Sequence, residues 1–328
     1  MFSAITKQIP PGNRMGELAA ETILHGIVAA TATLVFLRLR HVHAAKIRLR
    51  FWLLALGCPV LLTPVFSLLA PFRRGEIFRD ERAIFSGSHF ANLQWQSVRL
   101  GVAWVAILAV VGTALFLRDL IPFAWDVTRS RAKQNEATAP PAALTSAVNR
   151  AAEALGISAP RLLVRATKQP ILICRGLRRP TIVSSTGLVE SLAPDELEAA
   201  VAHEMVHAAR RDPALGWGLM LARGLFFFNP AIQLVARAAV QEIEQRADAA
   251  AVHALDNAQP LVRGLRKMAG IDPERPGTGG WQVLRLHAIE RRCRALLDER
   301  GASQPTPSRW GFVALAVGLG VILFFTVA

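Results

Sequence analysis

Four stretches of this 328-residue chain are apolar over close to the length that crosses a lipid bilayer, and they restrict its fold more than any other feature. Leu18 to Leu37, Phe51 to Ala70 and Val98 to Leu117 come first, and Trp310 to Ala328 closes the chain. About 20 residues of helix rise roughly 30 Å, the thickness of the hydrocarbon layer. Lipid offers no partner to a main-chain N–H or C=O, so runs of this kind must be helical. A hydrophobic content of 52 % and a mean hydropathy of +0.33 agree with membrane helices. Pro59 and Pro64 are expected to kink the second span. Glu21 and His25 lie near the start of the first, with Glu21 expected at headgroup level.

Charge orients these spans. Arg38, Arg40, Lys46, Arg48 and Arg50 follow the first span with no acidic residue among them, which marks a cytoplasmic loop. The N-terminus and the mixed-sign loop Pro71 to Gln96 then lie outside, and everything after the third span begins inside. The net charge of +14 reads as attraction to anionic lipid. No helix-turn-helix signature, zinc finger or aromatic-interleaved basic stripe accompanies it, so direct nucleic-acid binding is not expected. Met1 to Gly16, broken by Pro10-Pro11, does not resemble a cleaved signal peptide. Cys58, Cys174 and Cys293 are scattered and odd in number, as buried thiols in a reducing compartment would be. The expected organisation is a membrane domain with three transmembrane helices (1–124), a cytoplasmic domain (125–305) and a final transmembrane helix (306–328).

Between the third and fourth apolar runs the periodicity changes. Ala132 to Pro141 reads as a linker and Ala142 to Gly156 as an amphipathic helix closed by its glycine. Short β-rich runs follow at Arg161 to Ala166, Pro170 to Cys174 and Thr181 to Ser185. An edge strand of such a sheet could take an extended peptide as a further strand. Pro194 to Arg211 is helical by its apolar spacing. Leu215 to Phe228 is short for a span and reads as a core or interface-lying helix. Asn229-Pro230 is an N-cap followed by a proline at the first helical position, opening a helix to about Leu255. Gly277 to Gly280 is a break. Val283 to Arg300 reads as a basic amphipathic helix that packs by its leucine face near anionic lipid.

The chemistry is concentrated in two of these helices. His203, Glu204 and His207 form H-E-x-x-H, and four residues advance about one helical turn, so both imidazoles leave one face and can close on one metal ion. Glu204, one step round the helix, is placed to act on water rather than to ligate. On the later helix Glu244 and Asp248 are four apart and share a face. Two His and one Glu with a fourth position open is a catalytic Zn2+ set, and an Asp one turn on suits the N–H of a ligating imidazole.

Taken in order, His203-Glu204-x-x-His207-x-x-Arg210-x-Asp212, Phe228-Asn229-Pro230 and Glu244-x-x-Ala247-Asp248 resemble the membrane metalloproteases of the β-lactam sensor-transducer (BlaR/MecR-like) type. The likeness runs from about Arg161 to His253 and extends more distantly to the HtpX-type and CAAX-processing membrane proteases. It implies an α+β, mostly helical fold: four transmembrane helices plus a zincin-like metalloprotease domain with a small β-sheet. It implies zinc on His203, His207 and Glu244, with Glu204 as catalytic base and Asp248 in support. The expected activity is that of an integral-membrane zinc endopeptidase of the inner membrane, its protease domain cytoplasmic. Its substrate would be a transcriptional repressor or the chain itself. The alternatives are a quality-control protease acting on membrane proteins and a non-catalytic signalling scaffold. Sensor-transducers commonly carry a penicillin-binding domain after the last span, which these 328 residues do not include, so direct β-lactam sensing is not expected. The chain contains no Tyr, so an oxyanion donor has to be another group, with His253 and Arg210 as candidates by chemistry. A reporter fused after Arg300 is predicted to be active only in the cytoplasm, and external activity there would overturn the orientation.

Overall fold

The computed structural model describes residues 11–75, 77–78, 82–83, 94–95, 98–132, 137–176, 179–269, 280–297 and 309–326. Helix α1 (Pro11–Leu39) turns within a few residues into α2 (Ala45–Gly57). The basic loop expected over Arg38 to Arg50 is therefore much shorter, because Lys46, Arg48 and Arg50 already belong to α2. At Pro59 the helix widens into a π-turn (Cys58–Leu62) and continues as α3 (Thr63–Leu69). A proline ring cannot accept the preceding turn's geometry and supplies no N–H, and the wider turn absorbs both defects. A small ribbon, β1 (Gln94–Trp95) with β2 (Val98–Arg99), precedes the long helix α4 (Leu100–Ala132).

Among the described residues, three helical stretches are long and apolar enough to cross a membrane: Leu18–Leu39, Ala45–Leu69 and Ala103–Ile121. The fourth expected span lies in α12 (Arg309–Thr326), whose apolar part, Gly311–Phe325, falls short of that length among the described residues. Its C-terminal turn is tied to the other membrane helices. His25 Nε2 lies 3.2 Å from the Leu323 carbonyl, and Arg73 Nε donates to that of Phe324 at 3.0 Å. Glu21 is buried and faces Arg73 at 3.4 Å, near the start of the first span and just past the end of the second.

The second half of the chain is α+β, with a small mixed sheet in the order β3-β4-β6-β5. Strand β3 (Ala137–Thr138) comes out of the expected linker and pairs antiparallel with β4 (Arg161–Arg165). The amphipathic helix α5 (Ala142–Leu155) lies between them and ends on Gly156 at φ 63°, the left-handed geometry a glycine adopts without a side-chain clash. Strand β4 runs parallel to β6 (Thr181–Ser185), in register Arg161↔Thr181 to Arg165↔Ser185. Strand β5 (Leu172–Arg175) closes the other side, antiparallel to β6, and among the described residues its outer edge carries no further strand. Ser185 caps α6 (Thr186–Ser191) by accepting from the Leu188 N–H. Then come α7 (Pro194–Arg210), α8 (Asp212–Leu225), α9 (Pro230–Leu255), α10 (Gln259–Met268) and α11 (Gly280–Leu297). Residues 277–279 of the expected Gly-rich break and Arg300 lie outside the described residues.

Two apolar cores result, and α9 serves both. Leu144, Val164, Ile182, Leu197, Val201 and Met205 centre the first, which Ala251 of α9 joins. Phe51, Trp52 and Leu319 centre the second, with Ile232, Val235, Ala239 and Ile243 of α9. The helix that carries Glu244 is thus packed among the membrane helices at its start and in the mixed α/β core at its end. Asn229 fixes that start. It is fully buried, its Oδ1 accepts from the Ala231 and Ile232 amides, and its Nδ2 donates to the Thr22 carbonyl of α1 at 2.8 Å. Asn229→Ala is expected to cost about 1–2 kcal/mol from the cap alone. Asn229→Asp should cost less, since it keeps the acceptor, and thermal unfolding in detergent would rank the two.

Candidate metal centre

His203 and His207 lie in the middle of α7, whose first turn is pinned at several points. Pro194 sits at the first helical position, Glu196 accepts from the Ala193 amide, and Lys267 and Arg263 of α10 both reach Glu196. The buried face of α7 includes Leu197, Ala200, Val201 and Met205, so both imidazoles are held against the core. At the end of α7 Arg211 takes a left-handed conformation, φ 55°, which costs a non-glycine residue about 1 kcal/mol. The reversal swings Asp212 back, and its Oδ2 stands 2.9 Å from His207 Nδ1.

Helix α9 crosses this face. Its Glu244 presents Oε2 at 3.5 Å from His203 Nε2 and Oε1 at 3.7 Å from His207 Nε2. The two Nε2 atoms are 3.1 Å apart, and one ligating atom from each of the three residues falls within 4.8 Å of the others. One turn on, Asp248 Oδ1 lies 2.9 Å from His203 Nδ1, a charge contact set off the line of the ring N–H. Both imidazoles therefore turn Nδ1 to a carboxylate and Nε2 to the same point. At 3.1 Å the two Nε2 atoms either share a ring proton or face one cation between them, and the second is the arrangement of imidazoles oriented for a metal.

The electrostatics agree with a missing positive charge. Glu204, Asp212, Glu244 and Asp248 supply four carboxylates, while Arg246 on Asp212 and Arg292 on Glu244 and Asp248 supply two guanidiniums. With both imidazoles neutral the group carries a net negative charge, which favours binding of a cation. Burial opposes a charged His203, but Asp248 and Glu244 outweigh it and raise its pKa to about 10. Burial likewise opposes the charge on Glu244 and Asp248, and contacts with His203 and Arg292 overcome it, bringing each to about 2. The carboxylates that favour a charged imidazole also favour a cation beside a neutral one, and the two compete for the ring nitrogens. Burial raises the pKa of Glu204, partly offset by His203 and His207, and the main-chain amide of Cys174 hydrogen-bonds its carboxylate. Glu204 therefore stands between the His203–His207–Glu244 group and the open-edged strand β5.

A cleft of about 200 Å³ opens at this point. Leu172, Leu261, Leu265 and Met268 are among its apolar lining residues, and Glu204, Glu244 and Arg292 among its charged ones. Arg292 is the residue that sequence reasoning missed. It belongs to the helix expected to rest on lipid, yet its Nη1 reaches Glu244 at 3.0 Å and its Nη2 reaches Asp248 at 2.6 Å. Nothing in the spacing of the arginines on α11 separates it from Arg291 and Arg294, which are exposed. The expected oxyanion candidates are elsewhere. His253 is exposed, Arg210 donates to the Arg246 carbonyl, and neither lines the cleft. The role of Asp212 also went unassigned, although it falls within the motif string.

The sequence signature of the BlaR1 peptidase M56 family matches residues 72–261, which take in the third membrane-length helix, the sheet and the two helices that carry His203, His207 and Glu244. The chain belongs to this family. Two HtpX protease homologs also resemble it. The one from Janthinobacterium sp. (strain Marseille) is 24 % identical over 168 residues, covering 40 % of this chain and 58 % of the relative. The one from Moorella thermoacetica is 29 % identical over 130 residues, covering 38 % and 40 %. The chain thus spans about half the length of the curated relatives it matches. Membership of a membrane peptidase family fits the three membrane-length helices and the His/Glu cluster. If His203, His207 and Glu244 hold a metal, Asp212→Ala and Asp248→Ala should each weaken its binding by roughly 10–100-fold while leaving those three residues in place. Competition with a chromophoric chelator would measure both.

Proposed function

We propose that this M56-family chain is an integral-membrane zinc endopeptidase whose catalytic unit, about residues 125–305, faces the cytoplasm. The observation that carries this reading is the convergence of His203, His207 and Glu244, each imidazole oriented by its own carboxylate. Those three residues would hold the zinc. When bound, the metal supplies a Lewis acid that polarises a scissile carbonyl and makes water acidic enough to attack at neutral pH.

The chain's own groups do the rest. Glu204 takes a proton from the attacking water and delivers it to the leaving amine. Its burial makes the carboxylate a stronger base than an exposed one, and the Cys174 amide keeps it oriented. The outer edge of β5 offers main-chain groups to an extended substrate, laying the peptide beside Glu204. Arg292 holds Glu244 and Asp248 in place and lines the cleft, where it can face charge that develops there. The substrate we propose is a cytoplasmic regulator such as a transcriptional repressor, or the chain itself. That follows the BlaR1 family likeness and the basic, cytoplasmic turn beside α2. Likeness to the HtpX homologs favours a second reading, turnover of membrane proteins. The complete set of His203, Glu204, His207 and Glu244 speaks against a non-catalytic scaffold, which has no use for all four.

Purified protein is expected to contain one zinc per chain, and His203→Ala or His207→Ala should lose it, as metal analysis would report. Glu204→Gln should retain zinc and lose cleavage, since an amide cannot accept the proton. Cleavage of a casein-type substrate or of the chain itself at the wild-type rate would remove Glu204 from its role. Comparing membrane and soluble proteomes of cells carrying wild type or Glu204→Gln separates the two substrate readings. One stabilised regulator supports signalling, and many accumulated membrane proteins support turnover.

A further inference from the structure

We propose that α8 and α9 form a re-entrant hairpin immersed in lipid, entering and leaving on the basic side of the membrane. Its Phe226–Asn229 turn lies near mid-bilayer, and acyl chains cover its outer face. This inference uses only the membrane-crossing helices and does not depend on the metal or on catalysis.

The contacts of the hairpin descend in step along the three spans. At the turn, the Phe228 carbonyl sits against Gly112, the middle of the Ala103–Ile121 span, where any Cβ would overlap it. Asn229 packs on Gly26 and bonds Thr22 in the Leu18–Leu39 span. Lower down, Asp119 of α4 receives Arg223 of α8 at 2.6 Å and Arg237 of α9 at 2.9 Å. At the foot, Glu242 meets Arg48, in the first turns of α2, at 2.6 Å. From Gly26 to the end of α1 at Leu39 is 13 residues (39 − 26), and from Asn229 to Glu242 is also 13 (242 − 229). The hairpin thus reaches its foot at the level of the α1–α2 turn, beside Arg38, Arg40 and Lys46. Helix α8, at 14 residues, rises about 21 Å and is too short to cross.

The side chains divide as lipid demands. Trp217, Leu221 and Leu225, four apart and in one stripe, are 56 %, 63 % and 63 % exposed. Phe227 at the turn and Leu234 on α9 are exposed as well. The stripe continues the exposed apolar face of α4, formed by Ile107, Val110 and Ile121, and α8 adjoins that helix where Phe116 touches Gly224. Every polar side chain in the hairpin between Asp212 and Gln241 is turned inward. Arg223 and Gln233 bond each other, Arg237 bonds Asp119 and the Leu115 carbonyl, and Asn229 is fully satisfied. A helix lying flat at the interface would instead direct charge to water. Continuity with the lipid-facing side of a membrane helix identifies acyl chains as the occupant. Glu244 is two residues beyond the foot and Asp212 begins α8, so the His/Glu cluster lies at headgroup level. A peptide must therefore be presented close to the membrane surface to reach it.

The test is a depth measurement on the full chain, with Cys58, Cys174 and Cys293 replaced by Ala and one nitroxide-labelled cysteine introduced at Leu221, Leu225 or Phe227. Val110 serves as lipid reference and Glu153 as water reference, in vesicles of phosphatidylcholine and phosphatidylglycerol. Oxygen should relax the label more than a water-soluble nickel chelate at all three sites, increasingly towards Phe227, as at Val110. Nickel access matching Glu153 would place the hairpin in water. Protection from both reagents would mean that a second copy or another protein covers the stripe. Either result overturns the proposal. A milder measurement needs no label: vesicles of lipid brominated near the headgroup end of the chains should quench the fluorescence difference between wild type and Trp217→Phe. An unquenched difference would likewise refute it.

Discussion

The approach of Glu244 to two imidazoles on another helix is the contact on which the rest of the structure depends. It gathers four carboxylates, two histidines and two arginines into one partly buried group. Charges removed from water are tolerated only when each has a partner. Here the partners come from α7, the start of α8, α9 and α11, so satisfying the charges fixes how four helices meet. The site is a cause of the local packing as much as its product.

The same logic governs the membrane half. Asp119, on α4, takes two arginines from a distant part of the chain, and Glu242, against α2, takes one. Arginine suits this use because its planar fork bonds two acceptors at once and stays charged. Arg237 does so, with a carboxylate and the Leu115 carbonyl. These pairs and the Asn229 cap set the register of α9 along the bundle. They set with it where Glu244 arrives, since a helix passes an axial shift along its length without loss.

Helix α9 consequently links two solvents. Its first turns are packed with apolar membrane helices and its last turns with the sheet-containing core. A change in the spacing of α1, α2 and α4 acts on one end of a rigid element whose other end carries Glu244. Fourteen residues separate Pro230 from Glu244 (244 − 230), about 21 Å of helix. The chain therefore has a direct physical connection between the bilayer and its reactive cluster.

Local structure was legible in the sequence because it depends on near neighbours. The i, i+4 spacing of His203 and His207, the Asn229-Pro230 cap, Gly156 as a helix stop and the limits of β6 each follow from a few consecutive residues, and the structure has them where they were expected. The pairing of Glu244 with the two histidines was approachable only through a motif string, because nothing local marks one glutamate on α9 above Glu242 beside it. Other features needed the tertiary structure. Linker residues became β3 because β4 had a free side, and Asp212 met His207 because Arg211 reversed the chain. Arg292 left the pattern of a basic surface helix because a net negative pocket lay within its reach. The short apolar run before Asn229 fits a core, an interface or a membrane hairpin equally well by composition. Only the partners of its polar side chains, on helices more than a hundred residues earlier, distinguish among them. Periodicity records which face of a helix is apolar, and the identity of what lies against that face is a property of the assembled fold.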